Sequence, residues 1–147
     1  MAEMTYRTVN IKTANINMEL VRGYAEPAEV RGDDDVIPGA SGRREQSRQK
    51  DRLILRLEGW VKGTGTTLLD RQKSWRTNTD ALLALMDFTL ASGNLVISDN
   101  YLGLADATTK TISCKCINYV PGPIQAAGTL QRWSFDLECV ASPPVWT

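Results

Sequence analysis

The chain has 147 residues, 42% hydrophobic and 23% charged, which is the composition of one ordinary globular domain. No apolar run approaches the ~18 residues that a membrane helix needs, and the N-terminus lacks the basic-then-apolar layout of a signal peptide. The chain contains no histidine, which excludes Ser-His-Asp and Cys-His catalysis and every histidine-ligated metal site. Its 17 basic and 17 acidic residues cancel, so overall charge favours neither nucleic acid nor an anionic membrane as a partner.

The three cysteines are Cys114, Cys116 and Cys139. Their odd number precludes a closed set of disulfides within one chain. Cys114 and Cys116 share one face of an alternating segment, where neighbours lie too far apart for a relaxed disulfide. Three ligands without histidine fall short of the four of a structural zinc site. The cysteines are therefore interpreted as small buried apolar side chains of a protein folded in a reducing cytoplasm.

The alternation of apolar and polar residues predicts that most of the regular secondary structure consists of strands. The predicted strands are residues 5–20 (a strand or hairpin turning at Ala14-Asn15), 52–61, 94–98, 110–120 and 130–141. Pro121-Gly122-Pro123 is expected to break the chain after the fourth of these. The predicted core positions on the two clearest strands are Leu53, Leu55, Leu57, Trp133, Phe135, Leu137 and Cys139.

Residues 66–90 carry the period of a helix. Six residues of one helical face recur there at spacings of three and four, and Leu69, Leu83 and Leu85 widen this face. The stripe runs through Leu68, Gln72, Trp75, Thr79, Leu82 and Met86. Thr66 or Thr67 is the expected N-cap, and Ser92-Gly93 ends the segment. The helix is expected to cover the sheet with Trp75, Leu82 and Met86.

Residues 22–50 show neither the two-residue period of a strand nor the 3.6-residue period of a helix, and they are rich in charged residues, glycine and proline. Residues 26–35 hold five acids and one arginine, whereas residues 43–52 hold five bases and two acids. A stretch of this length without regular structure is usually functional or disordered. The segment is therefore predicted to be an extended arm.

The candidate chemical motifs all have simpler interpretations. Asp33-Asp34-Asp35 lacks the alternating acids and the terminal glutamate of a calcium loop. Gly63-x-Gly65 lacks the lysine and hydroxyl residue of a phosphate loop, and the basic run at residues 43–52 has no interleaved aromatic residues for nucleic acid. Trp60, Trp75 and Trp133 are expected in the core, whereas Trp146 is either a core lid or an anchor on a neighbouring molecule. The sequence predicts no metal, no cofactor and no enzymatic activity.

The predicted strands precede and follow one helix in the sequence, without regular alternation of strand and helix. This order predicts a mainly β (α+β) fold. We expect an antiparallel β-sandwich with one flanking α-helix and a long extended loop arm, as one domain over residues 1–147.

The order of segments resembles the distal tail proteins and related minor tail proteins of long-tailed (siphovirus-type) bacteriophages. The similarity rests on the charged loop RGDDDVIPGASGRR, the strand DRLILRLEGWVKGTG, the short strand GNLVIS, the strand TISCKCINYV and the closing WSFDLECVASPPVW. It runs from about residue 5 to residue 147, and the tail tube and tail terminator proteins are similar in fold.

The resemblance implies a β-sandwich subunit of a ring, usually hexameric, between the tail tube and the tip or baseplate hub. The implied partners are further copies of the chain, the tail tube protein and the hub proteins, with DNA passing through the lumen without sequence-specific contact. The implied location is the virion, after assembly in the host cytoplasm. Some family members have a second, carbohydrate-binding-like domain, for which this sequence offers no support.

In such a ring the arm is expected to lie on a neighbouring subunit. The predicted inter-subunit contacts are Asp33, Asp34, Asp35, Val36, Ile37, Arg43, Arg44, Arg48 and Trp146. The alternatives are a tail tube or terminator subunit of the same fold and, in a different class, a small monomeric binding module.

Overall fold

The structure, a computed structural model, describes residues 3–24, 52–98, 101, 103, 108–139 and 146–147. It also describes the backbone of four short strands between residues 30 and 50. The strands are β1 Met4–Tyr6, β2 Val9–Asn10, β3 Ile16–Arg22, β4 Val30–Arg31, β5 Asp35–Val36, β6 Arg43–Arg44, β7 Gln49–Lys50, β8 Leu53–Lys62, β9 Gly93–Ser98, β10 Thr109–Gln125 and β11 Leu130–Cys139, and the helix α1 is Leu68–Leu85.

Seven strands form one antiparallel sheet in the order β2-β1-β9-β10-β11-β8-β3. The long strand β10 joins its two halves. Residues from Thr109 to Cys114 pair with β9, and residues from Lys115 to Gln125 pair with β11. β10 therefore changes partners between Cys114 and Lys115, which divides the sheet into β2-β1-β9-β10 and β10-β11-β8-β3.

The two ends of the sheet meet at Ile11. Its N–H donates to the carbonyl of Met4 in β1 at 3.1 Å, and its carbonyl accepts from the N–H of Met18 in β3 at 2.8 Å. The sheet therefore curls around a single core, because both of its end regions are hydrogen-bonded to one residue.

The core confirms the predicted alternation. Every second residue of β8 and β11 is buried, and side chains from both halves of the sheet form one hydrophobic cluster. All seven predicted core positions belong to it: Leu53, Leu55, Leu57, Trp133, Phe135, Leu137 and Cys139. The prediction of a mainly β antiparallel fold with one flanking helix is confirmed. The two layers expected of a sandwich correspond to the two halves of one continuous sheet.

The helix is shorter than the predicted segment. Thr67 is the N-cap, and its hydroxyl accepts from the N–H of Asp70 at 3.1 Å. Leu82 and Met86 are buried and Trp75 packs against the core, as predicted. Leu68 and Leu69, which the stripe also placed on the buried face, are exposed, since the hydrophobic residues of α1 that pack against the core begin at Trp75.

The expected break at Pro121-Gly122-Pro123 is wrong. β10 continues through it to Gln125, with a register shift between Pro121 and Ile124. A proline is tolerated in an edge strand because its missing N–H is not needed there. In this part of β10 one edge has no partner strand among the described residues.

Candidate interaction surface

The unpaired edge of β10, from residue 115 to residue 125, carries an apolar strip. β9 ends opposite Cys114, so beyond that residue β10 is hydrogen-bonded to β11 alone within the described part of the chain. The large apolar side chains along it are between 39% and 59% exposed: Ile117, Tyr119, Val120 and Ile124. We call the unpaired edge and these four side chains the β10 strip.

An aromatic cluster joins the β10 strip to the core. The Tyr119 ring lies 5.3 Å from the exposed Phe88 ring, centroid to centroid, and 6.2 Å from its cross-strand partner Phe135. Phe135 stacks on Trp133 at 5.7 Å. A cavity of about 180 Å³ lies between Tyr119, Phe88 and the end of α1. Aromatic ring contacts therefore connect the strip to the hydrophobic core.

The outer face of β11-β8-β3 is polar. Arg56 pairs with Asp136 at 2.9 Å and Arg132 with Glu58 at 3.2 Å, both across neighbouring strands. Trp60, expected in the core, lies on this face with the Arg132 guanidinium 5.9 Å from its ring centre. Its position follows from the pleat, because Leu57 and Val61 already occupy the inner face.

A depression of about 280 Å³ on this polar face is the best candidate for a small-ligand site. It is lined by Trp60, Arg132, Glu58, Glu19 and Asn17. The charge of Arg132 is already paired with Glu58 within the chain, and Lys12 pairs with Glu19 at 3.4 Å. The three charged side chains that line the depression are therefore paired within the chain, Arg132 with Glu58 and Glu19 with Lys12.

The predicted arm contains paired strands, which its sequence does not indicate. β4 pairs antiparallel with β7, and β5 pairs antiparallel with β6, so the chain reverses direction between β5 and β6. Among the residues that the structure describes, each pair forms a two-stranded sheet separate from the seven-stranded sheet. Backbone pairing needs no apolar pattern, which is why the alternation analysis missed these strands.

The structure describes only the backbone of four of the predicted contact residues. Its register places Asp35 opposite Arg44 and Val36 opposite Arg43, so an acidic and a basic residue occupy opposite positions of one strand pair. Asp33, Asp34, Ile37 and Arg48 lie outside the described residues.

The last predicted contact residue, Trp146, packs against the core at the start of the arm. Its ring lies 5.5 Å from that of Tyr24, and Thr147 pairs with Thr111 of β10 through two backbone hydrogen bonds. Gly23 adopts a left-handed φ of 104°, which favours glycine where the chain leaves β3. These contacts match the core-lid alternative for Trp146.

Tyr6 and Cys116 are buried titratable groups of the core with displaced pKa values. Burial raises the pKa of Tyr6 to about 12, and its hydroxyl donates to the carbonyl of Cys114 at 3.1 Å. Burial also raises the pKa of Cys116 to about 11. Among the residues that the structure describes, no three acidic or cysteine side chains form a metal-binding cluster, and no helix is long and apolar enough to cross a membrane.

The β10 strip is the surface that sequence reasoning missed. One signal was present, since Ile117, Tyr119, Val120 and Ile124 fall on both faces of their strand instead of alternating. Apolar residues on both faces of a strand that contains prolines are typical of an edge that meets a partner.

Comparison with known proteins supports the fold. No family model and no curated protein sequence matches the chain. Among solved structures, it is similar to the SPP1 Dit (gp 19.1) protein, described as a paradigm of the hub adsorption apparatus in phages that infect Gram-positive bacteria, with a TM-score of 0.60 and 14% identity. The match covers 93% of this chain and 49% of that protein, so the chain spans about half its length. The fold implied by the resemblance to distal tail proteins is thereby confirmed.

Proposed function

We propose that the chain is a structural subunit of a phage tail. In this proposal copies of it form a hexameric ring at the distal end of the tail tube and connect the tube to the tip or baseplate hub, with no catalytic role and no cofactor. The protein then belongs to the virion and assembles in the host cytoplasm. The observation that carries the proposal is the exposed apolar β10 strip, on a fold shared with a phage hub protein.

The β10 strip is suited to a protein partner rather than to water. An edge strand offers a row of unpaired N–H and C=O groups, and soluble proteins usually protect such edges with charges, or by covering them. Ile117, Val120 and Ile124 are exposed apolar residues instead. A second copy of the chain is the partner we assign to it, because a strip that meets a different surface of the next copy produces a ring when the rotation closes.

The size of the strip indicates that a second element takes part. Eleven extended residues span about 35 Å, and a width of about 10 Å gives an area of roughly 350 Å². A stable interface buries about 800 Å² on each partner. We assign the rest of the interface to the arm, because its described strands form two small sheets of their own, separate from the seven-stranded sheet.

Within the arm, Val36 and Ile37 are the proposed apolar anchor on the neighbouring copy. Asp33, Asp34 and Asp35 are then proposed to lie near its basic residues, with Arg43, Arg44 and Arg48 as the first candidates. Since Asp35 already faces Arg44 within one chain, part of this charge pairing is expected before assembly. An exposed ion pair contributes only ~0.2–1 kcal/mol, so the apolar contacts are expected to dominate.

Light scattering coupled to size-exclusion chromatography, with negative-stain microscopy of the peak, tests the proposal. The full chain is expected to give a ring of defined copy number, in equilibrium with the 16.3 kDa monomer. The double variant Val120→Lys/Ile124→Lys is expected to remain folded, because both side chains are exposed, and to stay monomeric. A wild-type chain that is monomeric at every concentration contradicts the proposal.

Two further variants make the test specific. Leu69→Lys places one such charge on an equally exposed apolar residue of α1, which is not part of the strip, and is expected to assemble normally. Reversing Asp33, Asp34 and Asp35 to lysine is expected to weaken assembly while the monomer stays folded. If Leu69→Lys blocks assembly as strongly as the strip variant, the interface has been wrongly placed.

The alternative roles make different predictions. A tail tube subunit of the same fold would stack its rings into long tubes, which the same micrographs would reveal. A monomeric binding module would use the polar depression beside Trp60, and it would remain monomeric while a ligand perturbed the fluorescence of that indole.

A further inference from the structure

Two of the three cysteines lie directly across from each other on neighbouring strands. β10 and β11 are antiparallel, with Lys115 opposite Glu138 and Cys116 opposite Leu137. Extending this register by one residue places Cys114 opposite Cys139, the last residue of β11. Both side chains are completely buried on the inner face of the sheet.

This placement meets the geometric requirement of a disulfide. Directly opposite residues of an antiparallel ladder have Cα atoms about 4.5–5.5 Å apart, inside the ~4.4–6.8 Å range that disulfides span. Cys114 and Cys116 follow one another on one strand at about 6.6 Å, near the limit of that range, with parallel side chains. The Cys116 thiol instead donates to the carbonyl of Asn118 at 3.4 Å.

A guanidinium group lies on the other side of Cys114. Its partner across the β9 ladder is Gly93, and the Arg7 side chain fills the space that a β-carbon at Gly93 would occupy. The Arg7 Nη2 donates to the carbonyl of Ala91, which holds the group in place. A nearby cation stabilises a thiolate and so promotes its reaction with an oxidant. Hydrogen bonding with Cys139 and burial act in the opposite direction and raise the pKa of the Cys114 thiol.

We propose that Cys114 and Cys139 form a disulfide bond when a peroxide oxidises the folded chain. The thiolate of one cysteine attacks a peroxide oxygen, the O–O bond breaks, and a sulfenic acid and hydroxide result. The second thiol then attacks the sulfenic sulfur; the S–S bond forms, the S–O bond breaks and water leaves. Two thiols are oxidised and one hydrogen peroxide is reduced to two waters.

The bond would join β10 to β11 at the point where β10 changes partners. Cys114 is the last residue that β10 pairs with β9, and Lys115 is the first that it pairs with β11. A covalent link there stabilises the junction between the two halves of the sheet. The inference rests on the described residues of the core and does not depend on the proposed ring.

The test treats the native full chain with hydrogen peroxide, blocks the remaining thiols with an alkylating agent in denaturant, and maps the peptides by mass spectrometry. The expected product has lost two hydrogen atoms, contains a linked pair of peptides carrying Cys114 and Cys139, and leaves Cys116 alkylated. Its melting temperature is expected to rise by several degrees, because the link restricts the unfolded chain.

Three single variants serve as controls. Cys114→Ala and Cys139→Ala are expected to abolish the linked peptides, whereas Cys116→Ala is expected to retain them. The reaction is expected to accelerate as the pH rises, because the thiolate is the reactive form. Linked peptides that contain Cys116, or a native chain that yields only unlinked sulfinic and sulfonic products, would overturn the proposal.

Discussion

The indole Nε1 of Trp146 donates a hydrogen bond to the carbonyl oxygen of Gly23 at 3.1 Å. This contact connects the C-terminal residues to the place where the chain leaves β3 for the arm. The backbone pairing of Thr147 with Thr111 fixes the same residues to β10. The residues at the start of the arm are therefore bound to the core of the same chain. An arm that docked on a neighbouring copy would connect that copy to this core.

Replacing Trp146 tests this anchorage. Trp146→Phe keeps an aromatic ring against Tyr24 but removes the donor, and we expect it to lower the free energy of unfolding by about 1 kcal/mol. Trp146→Ala is expected to cost more and to speed amide hydrogen exchange at residues 22–24. Equal stability of the alanine variant and the wild type, measured by urea denaturation, would show that the contact is not formed in solution.

The buried aromatic and leucine positions of the sheet should be sensitive to truncation. Phe135→Ala is expected to lower the free energy of unfolding by about 3–5 kcal/mol, and Leu55→Ala by about 2–5 kcal/mol, because each leaves a cavity in a closed core. Both side chains are completely buried. Leu69→Ala is the control, and its exposed side chain predicts a change within about 0.5 kcal/mol.

The N-cap of α1 offers a smaller and more local test. Thr67→Ala removes the acceptor of the Asp70 N–H and is expected to destabilise the protein by about 1 kcal/mol. Thr66→Ala changes the same residue type one position earlier, where no cap is formed, and is expected to be neutral. Chemical denaturation of both variants measures the change in the free energy of unfolding for each. Similar decreases for the two variants would argue against this cap.

Alkaline pH should destabilise the fold through Tyr6. Its pKa is about 12 in the folded protein, compared with about 10 for an unperturbed tyrosine, so folding favours the protonated phenol. The stability that this provides is complete below pH 10 and is lost as the pH rises from about 10 towards 12. Urea denaturation across that range should show a shallower decline for Tyr6→Phe than for the wild type.

The sequence by itself determined the local features of this protein. The inward residues of β8 and β11 were readable from alternation, since a strand with one buried face repeats every two residues. The buried positions of α1, such as Leu82 and Met86, were likewise readable from helical spacing. These patterns depend only on near neighbours along the chain.

Tertiary structure alone decided which segments meet. The continuation of β10 through Pro121 depends on where its partner strand β9 ends, and the exposure of Leu69 depends on which part of α1 packs against the core. The opposition of Cys114 and Cys139 depends on the register between two strands that are distant in sequence. An alternating sequence pattern is unchanged by a shift of two residues, so the register between two strands is selected by the closure of the whole core around Phe135 and Leu55.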